Sequence, residues 1–278
     1  MLRRILLALD DTEGAIAARD YAVALARHSG AALTAAVILD RADLGHAHEA
    51  VPQGAAAFKE RRDAALLRQA QEAGALAVAG LREAAKEIPF TVEEFAEAPT
   101  PALLAAAGAH DLLIVGRDAT LGREDAHEGL APAIETLLRD RTRPLLVVPP
   151  GAVFDPAAPT LVAYDGSAGA MRAMQLFALL GLGRGAAARV LSVADDAPKA
   201  QHLAQMAAGY LQHHDVAAQA LPVVGRHPVE ALLAEATAMS AGMLVMGAFE
   251  HTGLRALFAG SATLHLLRRS PCAILAAH

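Results

Sequence analysis

The strongest chemical signal in the chain is the stretch MGAFEHTGLRALFAGSATLHLL at 246–267. A loop leaves Gly247 and returns at Gly260-Ser261, which read as the opening of a helix. Glycines let a ligand approach the backbone, and the unpaired N–H groups of a helix N-terminus favour anions. Ser261 can add a hydroxyl donor and Arg255 a positive charge. Together they suit a phosphate. The same residues also suit a plain helix cap with a tight turn. Glu250 places a carboxylate inside this loop. It either points to solvent or helps hold a divalent cation beside phosphates.

Other residues offer less. Asp165-Gly166-Ser167 could be a catalytic Asp and Ser, but a strand-to-helix turn with Ser167 near the N-cap explains them better. Asp11 and Thr12 do the same work earlier in the chain. The sequence contains no G-x-S-x-G elbow and no G-x-x-x-x-G-K-[ST] loop. It also lacks a paired lysine or arginine cluster of the kind that supports phosphoryl transfer. His46, His48 and Glu49 could ligate a metal, as could His213, His214 and Asp215, yet neither spacing identifies a zinc site. His251 and His265 lie near the glycine stretch without a spacing that assigns them a role. Cys272 follows Pro271 in an apolar run and reads as a buried small hydrophobe.

The composition limits what these residues can serve. Of 278 residues, 54% are hydrophobic, which is too many for a disordered chain. One cysteine forms no internal disulfide. A net charge of −6 leaves no basic surplus for nucleic acid, and aromatics at 4% leave few stacking platforms. No run of about 18–20 residues lacks charges, so no membrane span is expected. The apolar run at 5–9 ends at Asp10, too soon for a signal peptide, and a cytoplasmic location is expected.

The elements that must position these residues repeat. RRILLALDDTEGAIAARDYAVALARHSGAALTAAVILD and PTLVAYDGSAGAMRAMQLFALLGLGRGAAARVLSVADD share a plan: apolar run, Asp, turn, alanine-rich helix, glycine, second apolar run. Asp10 corresponds to Asp165, DLLIVG at 111–116 to GMLVMG at 242–247, and RPLLVVP at 143–149 to SPCAILA at 270–276. Val37 and Val193 both lie near the end of a second strand. The Pro- and Gly-rich segment 150–159 reads as a linker, which divides the chain into 1–150 and 151–278. Strands are expected at 4–9, 32–38, 90–95, 111–115 and 144–148, then at 160–164, 188–193, 218–224, 243–246 and 272–276. Helices are expected between them, at 13–28, 60–87, 101–109, 131–141, 169–182, 198–213, 228–240 and 261–269. Such alternation gives an α/β fold of two five-stranded parallel sandwiches. The alanine-rich 60–85 face should pack on the sheet or on the other half.

These residues resemble the universal stress proteins, over both halves of the chain. The resemblance rests on the twofold pattern, on LVAYDGSAGAMRAM, and on the segment from GMLVMG to the C-terminus. It implies strand order 3-2-1-4-5 in each half, a stress-response or regulatory role without catalysis, and ATP or AMP binding through G-x2-G-x9-G-[ST]. Gly247, Glu250, Gly260 and Ser261 occupy the spacings of that motif in the second half, with glutamate in place of its second glycine. On this resemblance Ala163, Asp165 and Val193 would line an adenine pocket. Met246 and Gly247 would face ribose and phosphates, and Gly260, Ser261 and Ala262 would cradle phosphate, with Mg2+ beside it. In the first half the motif positions hold Gly116, Ala119, Gly129 and Leu130, with Glu124, Asp125 and Glu128 adding acid. That half is expected not to bind ATP. The resemblance also implies that the final strands of the two halves pair within the chain as an internal pseudo-dimer. A further homodimer, an unidentified protein partner, a scaffold without nucleotide and a slow ATP-cleaving enzyme stay open as alternatives.

Overall fold

The computed structural model describes residues 1–39, 56–121, 128–139, 143–248 and 256–278, with backbone alone for 256–261. In the first half, β1 (Arg4–Leu9), β2 (Ala32–Ile38), β3 (Phe90–Phe95), β4 (Leu112–Gly116) and β5 (Leu145–Val148) alternate with α1 (Glu13–Ser29), α2 (Ala56–Ala84), α3 (Pro99–Ala107) and α4 (Pro132–Arg139). The second half repeats this with β6 (Thr160–Ala163), β7 (Ala187–Ala194), β8 (Ala217–Val224), β9 (Met243–Gly247) and β10 (Ala273–Ala277). Its helices are α5 (Ala168–Leu180), α6 (Ala197–Gln212), α7 (Pro228–Ala238) and α8 (Ala256–Arg269).

The turns form where the sequence supplies caps. Thr12 Oγ1 accepts from Ala15 N–H at 3.2 Å, and Ser167 Oγ accepts from Ala170 N–H at 3.2 Å. Each side chain satisfies one of the N–H groups that a helix start leaves unpaired. The Ser167 reading as a cap therefore holds.

Strands within each half pair in parallel, and the ten form one sheet in the order β3-β2-β1-β4-β5-β10-β9-β6-β7-β8. Each half thus has the expected 3-2-1-4-5 order. The halves meet through an antiparallel pairing of β5 with β10, in which Leu146 faces Leu275 and is flanked by Val147–Ile274 and Leu145–Ala276. Gly116 pairs with Val148 and Gly247 with Ala277, so Leu146 and Leu275 are equivalent positions. The pseudo-twofold axis passes between them.

Apolar side chains cover both faces, as an all-parallel half-sheet requires. Alternate residues point to opposite sides: Leu7, Val37, Val162 and Val190 pack under α1, α2, α5 and α6. Leu6, Ile38, Leu161 and Leu191 pack under α3, α4, α7 and α8. Helix α2 lies on the sheet of its own half: its Ala70, Ala77 and Val78 pack against the first of these faces. Among the described residues no helix is long and apolar enough to cross a membrane.

Val37 and Val193 lie near the ends of β2 and β7, as expected. Register pairs Ile5 with Leu33 and Thr160 with Ala188, so the position equivalent to Val193 is Ile38. One residue of slip moves a side chain to the other face, and apolar type alone does not fix that register. Helix α8 begins at Ala256, earlier than the expected 261. Gly260 and Ser261 therefore lie inside the helix. The preceding Ala-Leu-Phe-Ala run favours helix, and an internal glycine costs only about 1 kcal/mol.

Candidate functional site

Order reverses in the second half between β6 and β9, and ligands of open parallel sheets bind at such points beyond the C-terminal strand ends. A cleft of about 590 Å³ opens there. Its size lies within the range of small-molecule sites. Ala163 and Asp165 bring the end of β6, Val193 the end of β7, and Met246 and Gly247 the end of β9. Ala262 adds a wall from α8. Six of the eight residues named from sequence thus surround one cleft. The side chains of Gly260 and Ser261 lie outside the described residues. Glu250, His251 and Arg255 lie outside the described residues.

The cleft also has walls that the motif did not reveal. Tyr164 follows β6, and Val229 and Leu232 come from the first turns of α7. Their i, i+3 spacing after Pro228 was readable as one helix face. Only the sheet order shows that this face overlooks β6. Thr263 and Leu266 repeat the spacing on α8.

Asp165 is exposed, and its Oδ1 accepts from Ser167 N–H at 2.9 Å. This ties the carboxylate to the start of α5. Gly166, Ser167 and Ala170 put that helix N-terminus, with its positive end, on the cleft wall. Gly247 serves packing. A Cβ there would lie 2.5 Å from Ala170 N and 2.6 Å from the Gly169 carbonyl carbon. Bare backbone lets β9 pass the helix start. Burial raises the pKa of the Tyr164 hydroxyl, helped by the neighbouring Asp165 charge. The phenol therefore stays a neutral donor.

The equivalent place in the first half is filled. Asp10 Oδ2 accepts from Thr120 N–H at 2.6 Å, Leu121 N–H at 2.8 Å and Thr120 Oγ1 at 3.2 Å. Burial raises its pKa, partly offset by the backbone donors Leu121 and Asp11. Leu121 is 2% exposed and Leu130 5%, in the apolar cluster that contains Ala8 and Ile38. Those two are the counterparts of Ala163 and Val193. Asp118 secures the loop from its other side, accepting from Gly14 N–H at 2.9 Å and Thr12 Oγ1 at 3.0 Å. The expectation that acidic residues obstruct this half meets a different arrangement. Glu128 turns away and pairs with Arg268 of the other half at 3.0 Å. Glu124 and Asp125 lie outside the described residues.

The remaining sequence candidates do not assemble. His213 Nδ1 bonds its own helix at Gly209 O, 2.7 Å away, whereas His214 stacks on Tyr210 at 4.6 Å. No group of three or more metal-ligating side chains occurs among the described residues. His46, His48 and Glu49 lie outside them. Cys272 is buried, and burial raises its thiol pKa above the ordinary range.

A sheet of order 3-2-1-4-5, present twice and joined edge to edge, is the frame in which the comparisons fall. Residues 1–149 and 158–278 each match the model of the universal stress protein family. The chain belongs to the universal stress protein family. No curated protein matches it significantly. Among solved structures, a universal stress protein from Archaeoglobus fulgidus superposes with a TM-score of 0.68 at 18% identity, covering 99% of this chain and 97% of that one. A functionally unknown protein from Pseudomonas aeruginosa gives 0.58 at 17% identity, with 99% and 92% covered. At these identities the likeness is one of fold. It extends over the whole tandem.

Proposed function

We propose that this universal stress protein is a cytoplasmic, non-catalytic regulatory module whose second half binds ATP or AMP. One observation carries the reading: the cleft of about 590 Å³ at the switch point of the second half. Its apolar walls, Ala163, Val193 and Met246, suit a purine base. Asp165 offers an acceptor to a base amino group or a ribose hydroxyl. The N-terminal end of α5 favours the phosphates. A role for residues 260–262 in holding phosphate rests on the family resemblance. The first half, filled by its own loop, serves as a structural partner.

A binding role is supported over phosphoryl transfer by the lining itself. Asp165 and Tyr164 are the titratable side chains among the described residues around the cleft. Neither supplies the positive charge that stabilises a transferring phosphoryl group. Among the described residues around the cleft, Asp165 is the one carboxylate. Such a carboxylate suits a magnesium ion that arrives on the nucleotide and keeps several waters. If the cleft serves as proposed, Mg2+ would reach it carried by phosphate oxygens, and Asp165 could supply a protein oxygen to it.

Isothermal titration of the intact protein with ATP and AMP tests the proposal. Saturable heat is expected, and Gly260→Glu or Ser261→Glu should abolish it. Heat that survives both variants removes the phosphate assignment. Absence of heat with either nucleotide leaves a protein-interaction scaffold as the better reading. Steady release of phosphate from ATP would show an enzyme instead.

A further inference from the structure

A second cavity, of about 240 Å³, lies on the seam between the halves at the opposite ends of the strands. Tyr21 of α1 forms one side, Leu182 and Met243 of the second half another, and Phe154 of the linker a third. The seam is stitched beside it: Leu2 N–H donates to Leu180 O at 2.9 Å. Phe154 meets Tyr21 edge-on, with ring centroids 5.2 Å apart, and His28 lies 5.7 Å from the same ring. The linker is thus a wall of the cavity.

Two hydroxyls face this cavity, whose lining mixes apolar side chains with His28, Asp155 and Arg184. Tyr21 is 2% exposed and Thr160 is 4% exposed, and both line the cavity. Neither hydroxyl has a hydrogen-bond partner among the described residues. Thr160 begins β6 and shares the sheet face of Val162, which is the face that Tyr21 covers. Both oxygens open onto the cavity, where an occupant or water can pair them. Burial pushes the Tyr21 phenol well above its ordinary pKa, so it remains a neutral donor around neutral pH. At the mouth stands the exposed side chain of Arg184.

Size selects the occupant. A dry cavity of about 150 Å³ accepts benzene. One of about 240 Å³ accepts a single ring with substituents. We propose that this seam cavity binds a monocyclic aromatic acid carrying a ring hydroxyl, the hydroxybenzoate class. The ring lies between Phe154 and the aliphatic wall of Leu182 and Met243. Its hydroxyl meets Tyr21 and Thr160 inside, and its carboxylate meets Arg184 at the mouth. The site is separate from the nucleotide cleft, because β6 presents Thr160 at one end and Ala163 at the other. Occupancy would brace the linker against both halves.

Titration of the intact protein with 4-hydroxybenzoate, benzoate and phenol tests this, with heat as the first readout. 4-Hydroxybenzoate is expected to bind most tightly. The Tyr21→Phe, Thr160→Val double variant should lower its affinity about tenfold, to that of benzoate. Arg184→Gln should weaken both acids and spare phenol. Magnetisation transfer from ligand ring protons to the Met243 methyl in the unmodified protein locates the ring without any variant. Three equal affinities, no saturable binding at millimolar concentration, unchanged affinity in the variants, or no transfer to Met243 would each overturn the proposal.

Discussion

Gly247 stands both at the cleft and against the backbone of a neighbouring helix. Sequence reading treats it as clearance for a ligand, and it does line the cleft. Its missing side chain is demanded by the backbone of Gly169 and Ala170, just as Gly116 must clear Gly14 and Ala15. Gly247→Ala should therefore destabilise the nucleotide-free protein by about 1–3 kcal/mol, read from the urea midpoint. Unchanged stability with weaker nucleotide binding would restore the clearance role. Asp10 and Asp165 look identical in sequence and part company in the fold. Asp165 is exposed on the cleft, whereas Asp10 is consumed by Thr120 and Leu121. Those partners lie 110 and 111 residues away, beyond any local signal. Burial raises the Asp10 pKa, so the folded protein holds this proton to higher pH than the unfolded chain does. Its favourable contribution is complete below the ordinary carboxylate range and is lost as pH rises through the raised value. Asp10→Asn has no such titration. The stability of the parent relative to this variant should fall as pH rises from the ordinary carboxylate range through the raised value, followed by urea unfolding. A difference constant with pH would contradict the assignment.

At the level of elements, the pairing of β5 with β10 carries the most consequence. Both strands are short, entirely buried and apolar. Left alone, either would be the exposed edge that proteins ordinarily protect with charge or proline. Ile274 is 1% exposed and faces Val147 across the seam. Ile274→Lys would bury an unpaired charge there. A loss of roughly 4 kcal/mol or more is expected, measured by chemical denaturation. A variant folded with the parent midpoint would argue against the seam. Helix limits proved legible where caps exist, at Thr12 and Ser167. They shifted at α8, where no local stop precedes Gly260 and neighbouring helix formers extend the element.

Across the whole molecule, the halves are bound by more than one sheet edge. Arg117, leaving β4, donates to Ser270 O at 3.1 Å, and Glu128 reaches Arg268 on α8. The first-half loop thus closes its own cleft and grips the helix that walls the other. Surface pairs such as Glu128–Arg268 contribute little each, about 0–1 kcal/mol. The buried apolar seam should dominate the association of the halves. Fragments 1–150 and 151–278, expressed separately, are expected to pair with themselves or aggregate through the bare edge. Together they should recover a one-to-one complex, seen by light scattering after size exclusion. Stable monomeric fragments would show that the edge pairing is dispensable.

The amino-acid sequence by itself determined the α/β class, the twofold repeat, the strand positions and six of the residues at one strand-end cluster. Those features are written in local periods and in spacings, which one chain displays directly. Register and the fate of the first-half loop were decided by tertiary structure. Asp10 and Asp165 carry the same local code, and only distant partners make one a latch and the other a cleft wall. The seam cavity belongs to the same class of fact. Tyr21, Phe154 and Thr160 are unremarkable in the sequence and meet only because β5 and β10 join two halves into one sheet.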